Sequence, residues 1–270
     1  MNIKVNTFCM LIINILLLGG CDLIEYHPYD VRVKGETNVN ANNIAQIEAN
    51  CKDKSSIRFA VMGDSQRWYD ETEVFVKAIN FRDDIDFVIH GGDISDFGLT
   101  KEFMWQRDIM NNLNVPYVVI IGNHDCLGTG EEAYKTIFGD TNFSFIAGRV
   151  KFVCLNTNAL EYDYSSPIPD FDFIESEMSN RKEDFDKTIF SMHGAPLCDV
   201  FNNNVAKVFQ RYITEYPKLQ FCTIAHNHYI SVTDIFDDGV LYYGSTCMKD
   251  RSFLLFTITP EGYEYEAVYY

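Results

Sequence analysis

At 270 residues the chain suits one large domain or two small ones, and its 47% hydrophobic and 14% aromatic content can fill a sizeable core. That composition excludes a disordered, collagen-like or coiled-coil chain. With 39 acidic residues against 22 basic ones the net charge is −17, so the cationic excess that a nucleic-acid polymer demands is absent, while a small phosphorylated partner stays compatible.

The first residues read as a targeting segment. Met1 to Thr7 is polar and carries Lys4, and Phe8 to Leu18 is an apolar run of eleven broken only by Asn14. Spanning a bilayer takes ~20 residues, so the run fits the apolar core of a secretory signal instead. It closes on Leu18-Gly19-Gly20-Cys21, which resembles the lipobox of bacterial lipoproteins. The resemblance implies a signal peptide over 1–20 and a lipidated Cys21. It also implies attachment to a membrane of the bacterial cell envelope, periplasmic or surface-facing, through a stable multi-chain anchor.

Residues 21–56 read as a tether and an N-terminal packing segment, with a short helix over 43–49 that puts Ile44 and Ile47 on one side. From Ile57 strands and helices alternate. Strands are expected at 57–62, 86–90, 117–121, 143–146, 151–156, 188–192 and 219–225, with helices near 71–82, 101–113, 170–181 and 204–216. Four more strands are expected at 229–236, 240–245, 252–258 and 263–269. Alternation first and strand-rich sequence later suggest two packed sheets flanked by helices within one domain, 57–270. Past Cys21 six cysteines remain, at 51, 126, 154, 198, 222 and 247. No CxxC pair exists, and Cys154 and Cys222 sit inside apolar strands, so no disulfide or cysteine zinc site is assigned.

Polar residues gather where the strands end. Asp64, Asp93, Asn123, His193 and the pair His226/His228 each follow the carboxyl end of an expected strand. In open α/β sheets that edge is where ligands bind. Four of the six histidines (124, 193, 226 and 228) fall there. Oxygen and imidazole donors without thiolate suit a pair of divalent metals such as Mn, Fe or Zn. A carboxylate in the middle of the set can bridge two such ions and help them activate a water for phosphoryl displacement.

Gly63-Asp64-x-Gln66, Gly92-Asp93-x-x-Asp96, Gly122-Asn123-His124-Asp125, His193-Gly194 and His226-x-His228 together resemble the calcineurin-like metallophosphoesterases, over about residues 57–260. The resemblance implies a four-layer αββα sandwich of two mixed sheets with two divalent metal ions. One ion would be held by Asp64, Gln66, Asp93 and His228, the other by Asp93, Asn123, His193 and His226, with Asp93 bridging. His124 would be the catalytic histidine, stabilising the transition state or protonating the leaving oxygen, and Asp96 the carboxylate that orients it. One position departs from the pattern: the family usually has histidine where this chain has Gln66. The implied activity is metal-dependent hydrolysis of small phosphate esters by a metal-activated water. A phosphodiesterase or pyrophosphatase acting on nucleotides or lipid headgroups is an alternative, and a non-catalytic binding lipoprotein is another.

Other residues keep open readings. His90, inside a strand, reads as a core or supporting histidine rather than a ligand. Arg67-Trp68-Tyr69 either meets substrate or packs. The loops at 161–164 and 197–204 are the candidates for setting substrate choice.

Overall fold

Runs of alternating but uniformly apolar residues dictate strands buried on both faces. In β1 (Ile57–Met62), Phe59 and Val61 point to one buried cluster and Ala60 and Met62 to another. The computed structural model describes His27 and residues 30–270. The expected signal peptide and Cys21 lie outside the described residues. Val31–Tyr270 forms one compact unit.

The helices are α1 (Val39–Cys51), α2 (Tyr69–Asn80), α3 (Thr100–Met110), α4 (Gly130–Ile137), α5 (Phe171–Ser179) and α6 (Ala206–Thr214). The remaining strands are β2 (Phe87–His90), β3 (Tyr117–Val119), β4 (Phe143–Ala147), β5 (Val150–Leu155), β6 (Lys187–Met192), β7 (Leu219–Ile224), β8 (Ser231–Asp234), β9 (Leu241–Gly244), β10 (Ser252–Ile258) and β11 (Tyr263–Tyr269). One sheet runs β11-β10-β1-β2-β3 and the other β4-β5-β6-β7-β9-β8. β1, β2 and β3 are parallel, as are β5, β6, β7 and β9, whereas β10, β11, β4 and β8 join antiparallel.

Between the sheets lies an aromatic core. Phe59 stacks on Phe87 at 5.2 Å and meets Phe152 edge-on at 5.0 Å, while Phe221 stacks on Phe256 at 4.6 Å. Outside the first sheet α2, α3 and α4 bury Phe75, Phe103 and Tyr134. Outside the second, α5 and α6 bury Ile174, Phe209 and Ile213. The layers are therefore helix, sheet, sheet, helix, as expected.

Two differences from the sequence reading have local causes. The N-terminal helix covers 39–51 rather than 43–49, because Asn40 extends it. The Asn40 side chain donates to Val119 O and accepts from Val119 N at 2.9 and 2.8 Å, pairing the outer edge of β3 as another strand would. Helix α4 was not expected. Its Ala133, Tyr134 and Ile137 are buried, but Gly128 just before it and Gly130 at its first position give the segment the look of a loop. Among the described residues no helix is long and apolar enough to cross a membrane, and all six cysteines there are free.

Candidate metal centre

Each parallel strand of the first sheet stops at the same edge, and the chain there turns sharply to aim a polar side chain inward. Asp64, Gln66, Asp93, His226 and His228 all have positive φ, between 35° and 69°. Backbone of this kind costs about 1–3 kcal/mol per non-glycine residue and persists where surroundings over-determine it. Glycines supply the room. Gly92 has φ 102°, and a Cβ there would lie 2.7 Å from His193 Nδ1, while one on Gly122 would occupy the place of the Asp93 main-chain nitrogen and carboxylate.

The side chains fall into two neighbouring groups. In the first, His228 Nε2 lies 3.0 Å from Asp64 Oδ1, and Asp64, Asp93 and His228 each offer a donor atom within 4.8 Å of the others. Gln66 joins them, its amide nitrogen 3.4 Å from Asp93 Oδ2. A half-turn of that amide exchanges nitrogen for oxygen, so a donor oxygen fits the position. In the second group Asn123 Oδ1 lies 3.0 Å from both His193 Nε2 and His226 Nδ1. Asp93 Oδ1 is 3.4 Å from His193 Nε2, so Asp93 faces both groups.

The imidazoles are held from behind. His193 Nδ1 donates to Gly91 O at 2.9 Å, which aims Nε2 at Asn123 and Asp93. His226 Nε2 is 2.9 Å from Asp199 Oδ1, which leaves Nδ1 facing inward. Outer partners of this kind fix the tautomer and ring orientation of metal-binding histidines.

The electrostatics favour positive charge. Burial disfavours an imidazolium at His193, but Asp93 and Asp64 more than offset it and raise its pKa to about 10. Asp93 is buried too, and the neighbouring His193 charge holds it down near 2. The pocket thus stabilises a cation against desolvation, and its oxygen and imidazole donors fit divalent ions such as Mn, Fe or Zn.

His124 stands beside this pocket and is partly exposed, its Nε2 4.0 Å from Asp93 Oδ2. Its Nδ1 meets the main-chain oxygen of Asp96 at 2.7 Å, whereas the Asp96 carboxylate is 3.9 Å away and is bound by Arg67 at 2.7 Å. The expectation that the Asp96 carboxylate orients His124 is therefore corrected: the carbonyl does so, because the turn after Asp93 points it at the ring. Arg67 is thereby at the site, and Trp68 lies under Lys249, 5.7 Å from its ring centre.

His90 is fully buried. Nδ1 accepts from Gly92 N and Nε2 pairs with Ser65 Oγ at 2.8 Å, and burial pushes its pKa to about 3. It is a neutral brace, as expected. Two residues had no role in the sequence reading. Asp125 is buried and accepts from Gly122 N, Ser95 N and Ser95 Oγ, tying the Asn123 and Asp93 loops together, and burial raises its pKa to about 7. Asp199 touches His226, and no sequence spacing signals that contact.

The family model described as calcineurin-like phosphoesterase matches residues 57–229. A 3',5'-cyclic-nucleotide phosphodiesterase of Nostoc sp. is 25% identical over 118 residues, 43% of this chain and 43% of that relative. The chain therefore matches under half the length of that curated protein. Among solved structures, a dimetal phosphatase from Danio rerio shares the fold with a TM-score of 0.62 at 10% identity, over 79% of this chain and 99% of that one. A purple acid phosphatase from yellow lupin gives 0.58 at 16% identity, over 79% and 52%. GAP50 of Plasmodium, described as an inner-membrane-complex anchor, also gives 0.58, at 13% identity over 80% and 85%. The four-layer sandwich and the match over 57–229 together make this chain a member of the calcineurin-like phosphoesterase family.

Proposed function

We propose that the chain hydrolyses small phosphate esters at a centre of two divalent cations, held by Asp64, Gln66, Asp93 and His228 and by Asp93, Asn123, His193 and His226. The observation that carries this is Asp93, a buried carboxylate with positive φ that faces both groups at once. When bound, the cations supply charge for the phosphoryl oxygens and acidify an attacking water. The chain's own residues do the rest. Gly91 O, Asp199 and Asp125 hold the donors in place, and Arg67 offers a guanidinium beside Asp96. His124, oriented by the Asp96 carbonyl, donates a proton to the leaving oxygen or stabilises charge there.

A second reading, phosphodiesters or nucleotide substrates, draws on the rim. Phe97, Leu127, Leu197 and Tyr229 are all large and exposed, and each lies within four residues of Asp96, His124, His193 or His228. Such a rim favours an ester with an apolar or aromatic group. The diesterase activity named for the Nostoc relative supports the same reading.

A panel of p-nitrophenyl phosphate, bis-p-nitrophenyl phosphate and cyclic and linear nucleotides with Mn tests both. Turnover of the monoester alone favours the first reading, and preference for diesters the second. No turnover despite two bound ions would leave a binding protein. We further propose membrane attachment at Cys21, supported by the lipobox-like sequence. Cys21→Ala would then move the protein out of the membrane fraction.

A further inference from the structure

The loop between β6 and α6 carries a second set of donors on the outer side of His226. Cys198 Sγ, an Asp199 carboxylate oxygen and a His226 ring nitrogen lie within 4.8 Å of one another. Their loop is held in place. Asn203 Oδ1 accepts from Leu197 N at 2.8 Å and its Nδ2 donates to Cys198 O at 2.7 Å. Leu197 sits at φ 72° although it is not glycine, and Cys198 packs against Gly194, where a Cβ would come within 3.0 Å of Sγ. Asp199 is open to solvent, its side chain 77% exposed, so an ion has a way in.

The chemistry of this set differs from that of the inner pocket, which has no sulfur. One thiol, one carboxylate and one imidazole select thiophilic divalent ions such as Zn, Cd or Co over Mg or Mn. We propose that Cys198, Asp199 and His226 Nε2 form an outward-facing site for such an ion, and that this ion competes with the inner centre for the His226 ring.

The competition follows from the ring itself. A neutral imidazole has one nitrogen with a free lone pair. With Nε2–H donating to Asp199, that lone pair is on Nδ1 and faces Asn123 and the inner pocket. An ion on Nε2 reverses the tautomer. The ring proton leaves Nε2, Nδ1 takes one up and donates it to Asn123 Oδ1, 3.0 Å away. Cys198 gives its thiol proton to solvent, so one proton is released per ion and nothing is oxidised or reduced. The inner centre loses a donor, and excess zinc slows hydrolysis. This last consequence rests on the proposed inner role of His226, whereas the outer site does not.

The test is a cobalt titration of the whole protein, wild type and Cys198→Ser, followed in the near ultraviolet, where thiolate-to-cobalt charge transfer absorbs. The band should appear in the wild type and be lost in Cys198→Ser, with Mn content and Mn-supported turnover the same in both. Zinc added in excess over Mn should inhibit the wild type and spare Cys198→Ser. Absence of the band in the wild type, or its survival in Cys198→Ser, would overturn the site. Equal zinc inhibition of both proteins would overturn the competition. A band with no Mn-supported turnover in either protein would uphold the outer site and count against the inner reading alone.

Discussion

Among single residues, the two carboxylates and the histidine of the Asp93–Asp96–His124 stretch separate by what each touches. Asp93 faces both donor groups, so Asp93→Ala is expected to abolish divalent-ion binding and turnover together, as read by metal analysis and Mn-dependent rate. His124 lies beside the pocket, so His124→Ala should keep the ions and lower kcat by roughly 10²–10⁴-fold, the usual worth of a positioned proton donor. Asp96 orients His124 through its main-chain oxygen, which any residue supplies. Asp96→Asn should therefore cost much less than His124→Ala, and an equal loss would return the orienting role to the carboxylate. In the proposed ligand set Gln66 would contribute an amide where an imidazole would bind zinc more strongly. Gln66→His should raise zinc affinity without changing formal charge, and calorimetric titration checks it. Gln66, Asp96 and His124 came from the family resemblance, whereas Asp64, Asp93, Asn123, His193 and His226 were legible in the sequence because each is the first polar side chain after a buried strand. The Asp96 carbonyl and the Asp199–His226 contact were not. A carbonyl has no sequence signature, and Asp199 and His226 are 27 positions apart on different loops.

For whole elements, legibility followed burial. Strands covered on both faces read as apolar runs stopped by glycine and a polar residue, and their order and ends were recoverable from pattern alone. Pairing was not, because β10 inserts beside β1 from nearly two hundred positions away, a register set by aromatic packing such as Phe59 on Phe256 at 5.4 Å. Two stability predictions follow from packing. Phe59 is fully buried at the centre of the inter-sheet core, so Phe59→Ala should cost about 3–5 kcal/mol in denaturant unfolding. Lys151 is also buried, bonded to Glu177 Oε2 and Asn180 O at 2.8 Å and lying 5.0 Å from the Phe185 ring centre. Truncating Glu177→Ala leaves that ammonium without its counter-charge and should cost about 3 kcal/mol. Burial works against charge on Glu177, yet bonds from Lys151, Ser144 and Asn180 hold its pKa below the ordinary 4.5. Its contribution is therefore present above that value and is lost as pH falls below it.

Taken as one body, the molecule places its centre where the two sheets meet. Asp64, Asp93 and Asn123 follow strands of the first sheet, and His193, His226 and His228 follow strands of the second. A cation held by both sets, as proposed, would tie the sheets together and bind only the folded chain. At a concentration about 100-fold over its dissociation constant it should add about 2.7 kcal/mol, which in a domain of this size is a rise in Tm of roughly 5–10 °C. The size of that rise depends on pH through His193. Without a cation the pocket holds a proton on His193, whose pKa is raised from 6.5 to about 10 by Asp93 and Asp64 against the effect of burial. A raised pKa means that the proton's contribution to stability is complete below 6.5 and fades as pH climbs through about 10. A divalent cation bound as proposed would replace that proton, and its own contribution would not fade over the same interval. The gap in Tm between Mn-loaded and chelator-treated protein should therefore widen as pH rises from about 6.5 to about 8.5, with proton release on Mn binding measurable by calorimetry in buffers of different ionisation enthalpy. A gap that stays constant across that interval, with no proton released, would show that His193 is already neutral in the cation-free protein and that Asp93 is held as a carboxylate by its other partners.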